Sequence, residues 1–204
     1  MMKLLFSHPS PYARKCRILV HEKGLQDVVA EVESHPFEDE ALLLQANPLG
    51  RIPALILEDG RALVESGVIC AYLDDLGGGP QMIRHDETWL EEARLRAFAD
   101  GLMDLTMGRR VELERDEALY SSFWIERREN GVRRALDQLE GEAASVAESL
   151  SLASATLAAA LGYLDFRWAE YDWRQDRPAL TAHHAWWTGR ESFSTTAPKP
   201  YVKA

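Results

Sequence analysis

The sequence predicts an α/β unit followed by an all-helical one. Three observations carry this. Short apolar runs and amphipathic stretches alternate as β-α-β-α-β-β-α over about the first 76 residues, the run Gly77-Gly78-Gly79-Pro80 then interrupts the chain, and beyond about Glu87 only apolar stripes at helical spacing remain. At 204 residues the chain can bury a substantial core in one large or two small domains. The reading divides it into a domain over 1–78, a linker over 79–86 and a helical domain over 87–204.

The elements follow in order. An apolar strand at about 3–7 turns directly into a helix that begins at Ser10-Pro11 and stops at Lys23-Gly24. Ser before Pro reads as an N-cap with Pro at the first helical position, where its missing N–H costs nothing. Residues 28–33 have the β-branched content of a second strand, and a helix is predicted over about 38–46, ended by Asn47-Pro48. Asp59-Gly60 between the apolar runs 52–57 and 61–64 predicts a hairpin. Ser66 then reads as the N-cap of a helix over about 67–76, with Ile69, Tyr72, Leu73 and Leu76 on one stripe. The expected sheet is therefore mixed, a parallel βαβ half and an antiparallel hairpin half.

In the second half, Leu95, Phe98, Leu102 and Leu105 form one stripe, Val132, Leu136 and Leu139 a second, and Leu157, Leu161, Leu164 and Trp168 a third. A last helix follows Pro178 toward Arg190, and the Pro- and Thr-rich tail over 194–204 reads as irregular.

The formal net charge of −10 argues against sequence-independent nucleic-acid binding, which rests on neutralising phosphates. The acidity is uneven: the first 24 residues carry Lys3, Arg14, Lys15, Arg17 and Lys23 against Glu22. Two readings of that excess stand side by side, a field that attracts a small anion and a solvated helix face. Cys16 and Cys70 have neither a Cys-x-x-Cys nor a metal-ligand spacing, so they read as small buried hydrophobes, with no disulfide framework and no metal site expected. No apolar run reaches membrane-spanning length and the N-terminus lacks the pattern of a signal peptide, so the expected location is cytoplasmic, with no membrane partner.

The stretch Ser10-Pro11-Tyr12-Ala13-Arg14-Lys15-Cys16-Arg17 bears the chemistry. Read alone, Ser10 caps a helix; the same hydroxyl also lies among unpaired N–H groups at the positive end of the helix dipole, where an anion is welcome. Together with NPLGRIPALILEDG and VESGVICAYLDDL, this opening resembles the cytosolic glutathione transferase superfamily, in its serine-type members. SLASATLAAALGYLDFR is similar to that family's sixth helix, although Ser154 stands where the family usually has the Asp of a capping box.

The resemblance implies a thioredoxin-like N-terminal domain, an all-helical C-terminal domain and glutathione as co-substrate. Ser10 is then the catalytic residue, donating a hydrogen bond to the glutathione thiolate; each pKa unit removed from a thiol requires about 1.4 kcal/mol of preferential stabilisation of the thiolate. A Cys at this position would favour thiol-disulfide exchange, and Cys16, about 9 Å along the helix, is no substitute. Sequence alone assigns Ile52-Pro53 a trans bond; the resemblance implies cis, with the Ile52 backbone pairing with the cysteinyl backbone of glutathione. Arg51 is implied to reach a glutathione carboxylate, Glu65 to accept the α-ammonium and Ser66 to bind the γ-glutamyl carboxylate. The second substrate, a small molecule, is expected between the domains, with Met103, Met107, Trp124, Tyr163, Phe166 and Arg167 as candidate lining, each also readable as core. The implied activity is detoxifying conjugation of a small hydrophobic electrophile, or peroxide reduction, by a homodimer. The alternative is a non-catalytic protein that retains the fold to hold a ligand or partner.

Overall fold

In the computed structural model, which describes residues 1–38 and 40–201, the first strand β1 (Met2–Phe6) and the helix α1 (Pro11–Glu22) are followed by β2 (Val29–Glu33), α2 (Ala41–Ala46), β3 (Ala54–Ile56), β4 (Ala62–Val64) and α3 (Ser66–Asp75). The helices α4 (Trp89–Leu113), α5 (Ser122–Ala143), α6 (Leu152–Arg167) and α7 (Pro178–Thr188) come next, and α8 (Glu191–Thr195) closes the series. The order βαβαββα and the helical remainder are those expected. Asp39, within the predicted second helix, and residues 202–204, within the predicted tail, lie outside the described residues. The chain divides into two compact units, residues 1–83 with 190–204, and residues 84–189.

In the first unit the sheet order is β2-β1-β3-β4, with β1 parallel to β2 and antiparallel to β3, and β3 antiparallel to β4. The parallel pair is joined through α1 and the antiparallel pair through the Asp59-Gly60 turn, where Asp59 Oδ1 accepts the Arg61 N–H at 3.0 Å. Leu4, Leu5, Ile18, Leu19, Leu55, Ile69 and Leu73 are sealed from solvent in this core. The second helix is shorter than predicted. Glu40 precedes it and turns its carboxylate back to accept from the Ser34 hydroxyl and the His35 N–H, so Glu38 and Glu40 lie before the helix.

The basic residues of α1 do not form a solvated face. Arg14, Lys15 and Arg17 are buried, and so is Lys23 at the helix end. Arg17 Nε donates to Glu31 at 2.7 Å with its guanidinium 4.2 Å from the centre of the Phe6 ring, and Lys23 Nζ donates to Asp74 at 3.0 Å. Cys16 and Cys70 are free and buried with their sulfurs 3.6 Å apart, packing α1 on α3.

The predicted linker belongs to the first unit up to Ile83. Asp74 accepts from the N–H groups of Met82 and Ile83, and Lys23 also donates to the Pro80 carbonyl. Gly78 and Gly79 are required here: both have positive φ, and a Cβ on either would come within 2.4–2.5 Å of a carbonyl oxygen of α1's last turn. The tail differs from its prediction as well. Residues 190–204 belong to the first unit: Arg190 pairs bidentately with Glu22 at 2.7–2.8 Å, and Phe193 stacks on the Arg14 guanidinium at 3.7 Å.

The second unit is built on α6, buried from Leu152 through Leu164 and flanked by α4 and α7. Its all-round Ala and Leu content suits a helix with no solvent face. Of the predicted stripes, Leu95, Leu102, Val132, Leu136, Leu139, Leu157, Leu161, Leu164 and Trp168 are buried, whereas Phe98 is exposed. Glu140 on α5 accepts the first free N–H groups of α7, from Ala179 and Leu180, both at 2.9 Å.

Candidate functional site

Strand register assembles the site in the first unit. Leu5 lies opposite Ala54, and Ala54 opposite Val64. One residue further along each strand, Phe6, Pro53 and Glu65 therefore end the sheet side by side, and the loop to Ser10, the Ile52-Pro53 segment and the Glu65-Ser66 turn leave from the same end.

Ser10 is the N-cap of α1 and only 8% exposed. Its Oγ accepts the Ala13 N–H at 3.2 Å, and its own N–H donates to the Ser7 carbonyl at 3.1 Å. Accepting from Ala13 uses a lone pair of the hydroxyl and leaves its proton to be donated at the positive end of the helix. Pro11 occupies the first helical position as expected.

The Ile52-Pro53 peptide bond is cis, as the resemblance implies and against what frequency alone suggests. Asn47, buried, shapes the approach to it: its side chain donates to the Arg51 carbonyl at 2.7 Å and accepts the Leu49 N–H at 3.1 Å. Arg51 itself is exposed, and Ile52 packs half-buried against the cluster of Leu5, Leu43 and Ala54.

At the third position the expected cap is corrected. Glu65, not Ser66, is the N-cap of α3: its Oε2 accepts from Gly67 N–H at 2.9 Å and Val68 N–H at 3.2 Å, while the Ser66 hydroxyl donates to Oε1 at 3.2 Å. Ser66 starts the helix proper. Glu65 adopts φ 73° and ψ 124°, a conformation that L residues hold only when their surroundings over-determine it, and such outliers cluster at functional sites. Gly67 leaves room for the carboxylate, since a Cβ there would meet Oε2 at 2.9 Å. Burial pushes the Glu65 carboxyl pKa up, but the two backbone N–H donors and the charge of Lys15 outweigh it, and the net direction is down. Glu65 is thus an anion at neutral pH. Lys15, which the sequence reading treated only as part of a charge excess, lies buried on α1 one residue before Cys16, whose thiol reaches the Ser66 carbonyl at 3.6 Å.

The remaining sequence candidates belong to the second unit. Met107 on α4 and Tyr163 on α6 meet, with the Tyr163 hydroxyl 3.5 Å from the Met107 sulfur, and the Arg167 guanidinium lies 4.3 Å from the centre of the Phe166 ring. Met103 is fully buried. Trp124 is exposed on α5, edge-to-face with Phe123 and 5.7 Å from the Arg128 guanidinium.

The family profile described as "Glutathione S-transferase, N-terminal domain" matches residues 9–76, and that described as "Glutathione S-transferase, C-terminal domain" matches residues 122–185. The chain belongs to the glutathione S-transferase family. Its relatives in this family include an uncharacterized GST-like protein, YibF, of Escherichia coli K12, 34% identical over 97% of this chain and 98% of that protein. Among solved members, a glutathione S-transferase from Methylobacillus flagellatus with glutathione bound is 38% identical over 98% of this chain and 100% of that one, with a TM-score of 0.92. A glutathione transferase family member from Pseudomonas fluorescens Pf-5, with bound glutathione, is also 38% identical over the same shares, with a TM-score of 0.93; that family member has been solved with S-(propanoic acid)-glutathione as well. The order of sheet and helices seen here is thus that of a glutathione S-transferase, with its thioredoxin-like N-terminal domain and helical C-terminal domain.

Proposed function

We propose that this protein is a glutathione transferase in which the Ser10 hydroxyl donates a hydrogen bond to the glutathione thiolate, readying it to attack a small hydrophobic electrophile or to reduce a peroxide. The observation that carries the reading is the disposition of Ser10: at the N-cap of α1, nearly buried, accepting from Ala13 and therefore oriented to donate away from the helix. Neither a base nor a nucleophile is asked of it. A charge-assisted hydrogen bond beside the positive helix end favours the thiolate over the thiol, which is the whole requirement.

The other residues recognise the tripeptide. The Ile52 backbone beside Pro53 pairs with the cysteinyl backbone, and Arg51 reaches a carboxylate. At the other end the ionised Glu65 accepts the α-ammonium, while the Ser66 hydroxyl turns from Glu65 Oε1 to the γ-glutamyl carboxylate. Ser66 N–H, in the first turn of α3, is a second donor to that group. Glutathione bound in the two solved relatives at 38% identity supports this assignment, as does the S-substituted glutathione held by one of them.

Side chains of the helical unit hold the second substrate in this reading: Met107, Tyr163, Phe166 and Arg167 at the α4–α6 cluster, with Met103 and Trp124 as its remaining candidates. The protein acts as a cytoplasmic homodimer in detoxification. Calorimetric titration with glutathione, followed by turnover against an aryl halide and a hydroperoxide, tests the proposal. Binding with turnover of either class is expected; binding without turnover would favour the non-catalytic alternative, and no binding would overturn the assignment of the site.

A further inference from the structure

The chain returns, near its end, to the rim of the sheet on which the candidate site is built. Arg190 pairs with Glu22 at the C-terminal end of α1, the Phe193 carbonyl accepts from Arg14 at 2.9 Å near the start of that helix, and Thr196 is fully buried with its hydroxyl donating to the Ser192 carbonyl at 2.7 Å. Residues 190–196 therefore run antiparallel along α1. Burial lowers the His8 pKa against the pull of Glu33, and the charges of Arg17 and Lys199 add to the lowering, so Lys199 is felt at the turn from Ser7 to Ser10. At Tyr201 the ring stacks on His35, 3.6 Å between centres and 27° between planes, while the hydroxyl donates to Glu38.

His35 lies in the loop after β2. Because β1 and β2 are parallel, with Phe6 opposite Glu33, this loop leaves the same end of the sheet as the Ser10 turn, the Ile52-Pro53 segment and Glu65. In the order β2-β1-β3-β4 it is the outermost member of that rim on the β2 side. Its base is fixed: Ser34 is buried with its N–H donating to the Phe6 carbonyl at 2.7 Å, and Glu40 accepts the His35 N–H at 2.9 Å. The outer half has less to hold it. Phe37 is 73% exposed, and the N–H groups of Phe37 and Glu38 only turn back on His35, at 3.4 and 3.2 Å. Tyr201 ties this half to a distant part of the chain.

We propose that the C-terminal segment is a strap on the glutathione site: Tyr201 holds the 34–38 loop as the wall beside the glycyl end of the tripeptide and slows its release. This rests on the transferase reading above, in which the γ-glutamyl end lies at Glu65 on the β4 side and the cysteine at Ile52 and Ser10. The same direction across the rim carries the glycine toward β2. Tyr201 is a positioning residue that acts through His35 and Glu38. A loop already held in place loses less entropy when the ligand arrives and opens less often once it is bound.

Calorimetry and stopped-flow fluorescence measure the affinity and release of glutathione for the wild type, Tyr201→Ala and Tyr201→Phe, and ultraviolet absorbance gives the pKa of the bound thiol. Tyr201→Ala is expected to release glutathione about fivefold faster with affinity weakened to match, while the thiol pKa and the melting temperature stay those of the wild type, because Ser10 and the buried core are untouched. Tyr201→Phe retains the stacked ring and should recover most of the loss. Wild-type release and affinity in Tyr201→Ala would overturn the strap and leave the glutathione site standing. So would a loss that Tyr201→Phe does not recover and that comes with a shifted thiol pKa or a lowered melting temperature, the mark of a general disturbance of the fold. A wild-type protein that fails to bind glutathione would instead overturn the transferase reading, and the strap with it.

Discussion

Glu65 shows how much one residue carries. Its carboxylate caps α3 through two N–H groups and is also the acceptor assigned to the ammonium of glutathione, and its backbone sits in a region whose cost is about 1–3 kcal/mol. Replacing it with Gln keeps an oxygen for the cap and removes the charge. Glu65→Gln is therefore expected to weaken glutathione binding about tenfold with little change in melting temperature, as read by calorimetry and thermal unfolding. Unchanged binding with lowered stability would make Glu65 a cap and nothing more.

The sequence reading gave the capping role to Ser66 because Ser is a preferred cap and Glu is not. The carboxylate wins because the left-handed turn at Glu65 folds its side chain back over the helix start, a conformation no local pattern announces. Ser154 was legible as a departure from the family, but its consequence was not. Its Oγ accepts the buried Trp187 indole N–H at 2.8 Å, and its carbonyl is 3.2 Å from His183 Nε2. The Ser151 hydroxyl has an acid within reach all the same, Glu92 on α4, whose pKa burial raises despite that hydrogen bond. That contact, 59 positions apart in sequence, engages the Ser151 side chain and not the cap's backbone N–H that the family's acid takes.

Among the elements, α1, α3 and the segment after it are locked by one buried pair. Burial raises the Asp74 pKa, but donation from Met82 N–H, Lys23 and Ile83 N–H outweighs it and the net direction is down. Asp74→Ala strands the Lys23 ammonium, which is 3% exposed, and should cost about 3–5 kcal/mol in denaturant unfolding. A loss under about 1 kcal/mol would show the pair to be dispensable. The sequence showed both helices and the glycine break, because periodicity and Gly-Pro punctuation are local signals. It did not show that Lys3, Arg14, Lys15, Arg17 and Lys23 divide into exposed and buried members, because the partners of the buried ones, Glu31 and Asp74, lie on other elements. The helix α8 was missed for a related reason: five residues are too few for a period, and what orders them is Glu22 and Arg14 of α1.

For the whole molecule, the depressed carboxylates set the pH dependence. Asp74, Glu22 and Asp165 have folded pKa values below their ordinary ones, burial in each being outweighed by hydrogen bonds from Met82 and Lys23, from Arg190 and Ser192, and from Arg174 and Trp173. Burial likewise lowers His183, against the pull of the Ser154 and Val146 backbones. Each folded pKa is depressed, so each contribution is complete above the unfolded value and lost as pH falls. The melting temperature is expected to hold level above about pH 6.5, to decline below it as the His183 difference is felt, and to fall further below about pH 4.5 as the carboxylates protonate. A melting temperature that rises on acidification through that window would contradict the assignment. The homodimer proposed above is checked by sedimentation at micromolar concentration, where only a species near the chain mass of 23.0 kDa would count against it. Chain order and class were open to sequence at this scale; the homodimer proposal rests on the family resemblance alone.

The claim on which the rest depends is that Ser10 activates the thiol of glutathione. Ultraviolet thiolate absorbance of bound glutathione, titrated against pH for the wild type and for Ser10→Ala, addresses it directly. The account predicts a thiol pKa below that of free glutathione in the wild type, restored in the variant, each unit corresponding to about 1.4 kcal/mol. Glutathione that binds the wild type yet titrates as it does in water, or a depression that survives Ser10→Ala, would contradict it.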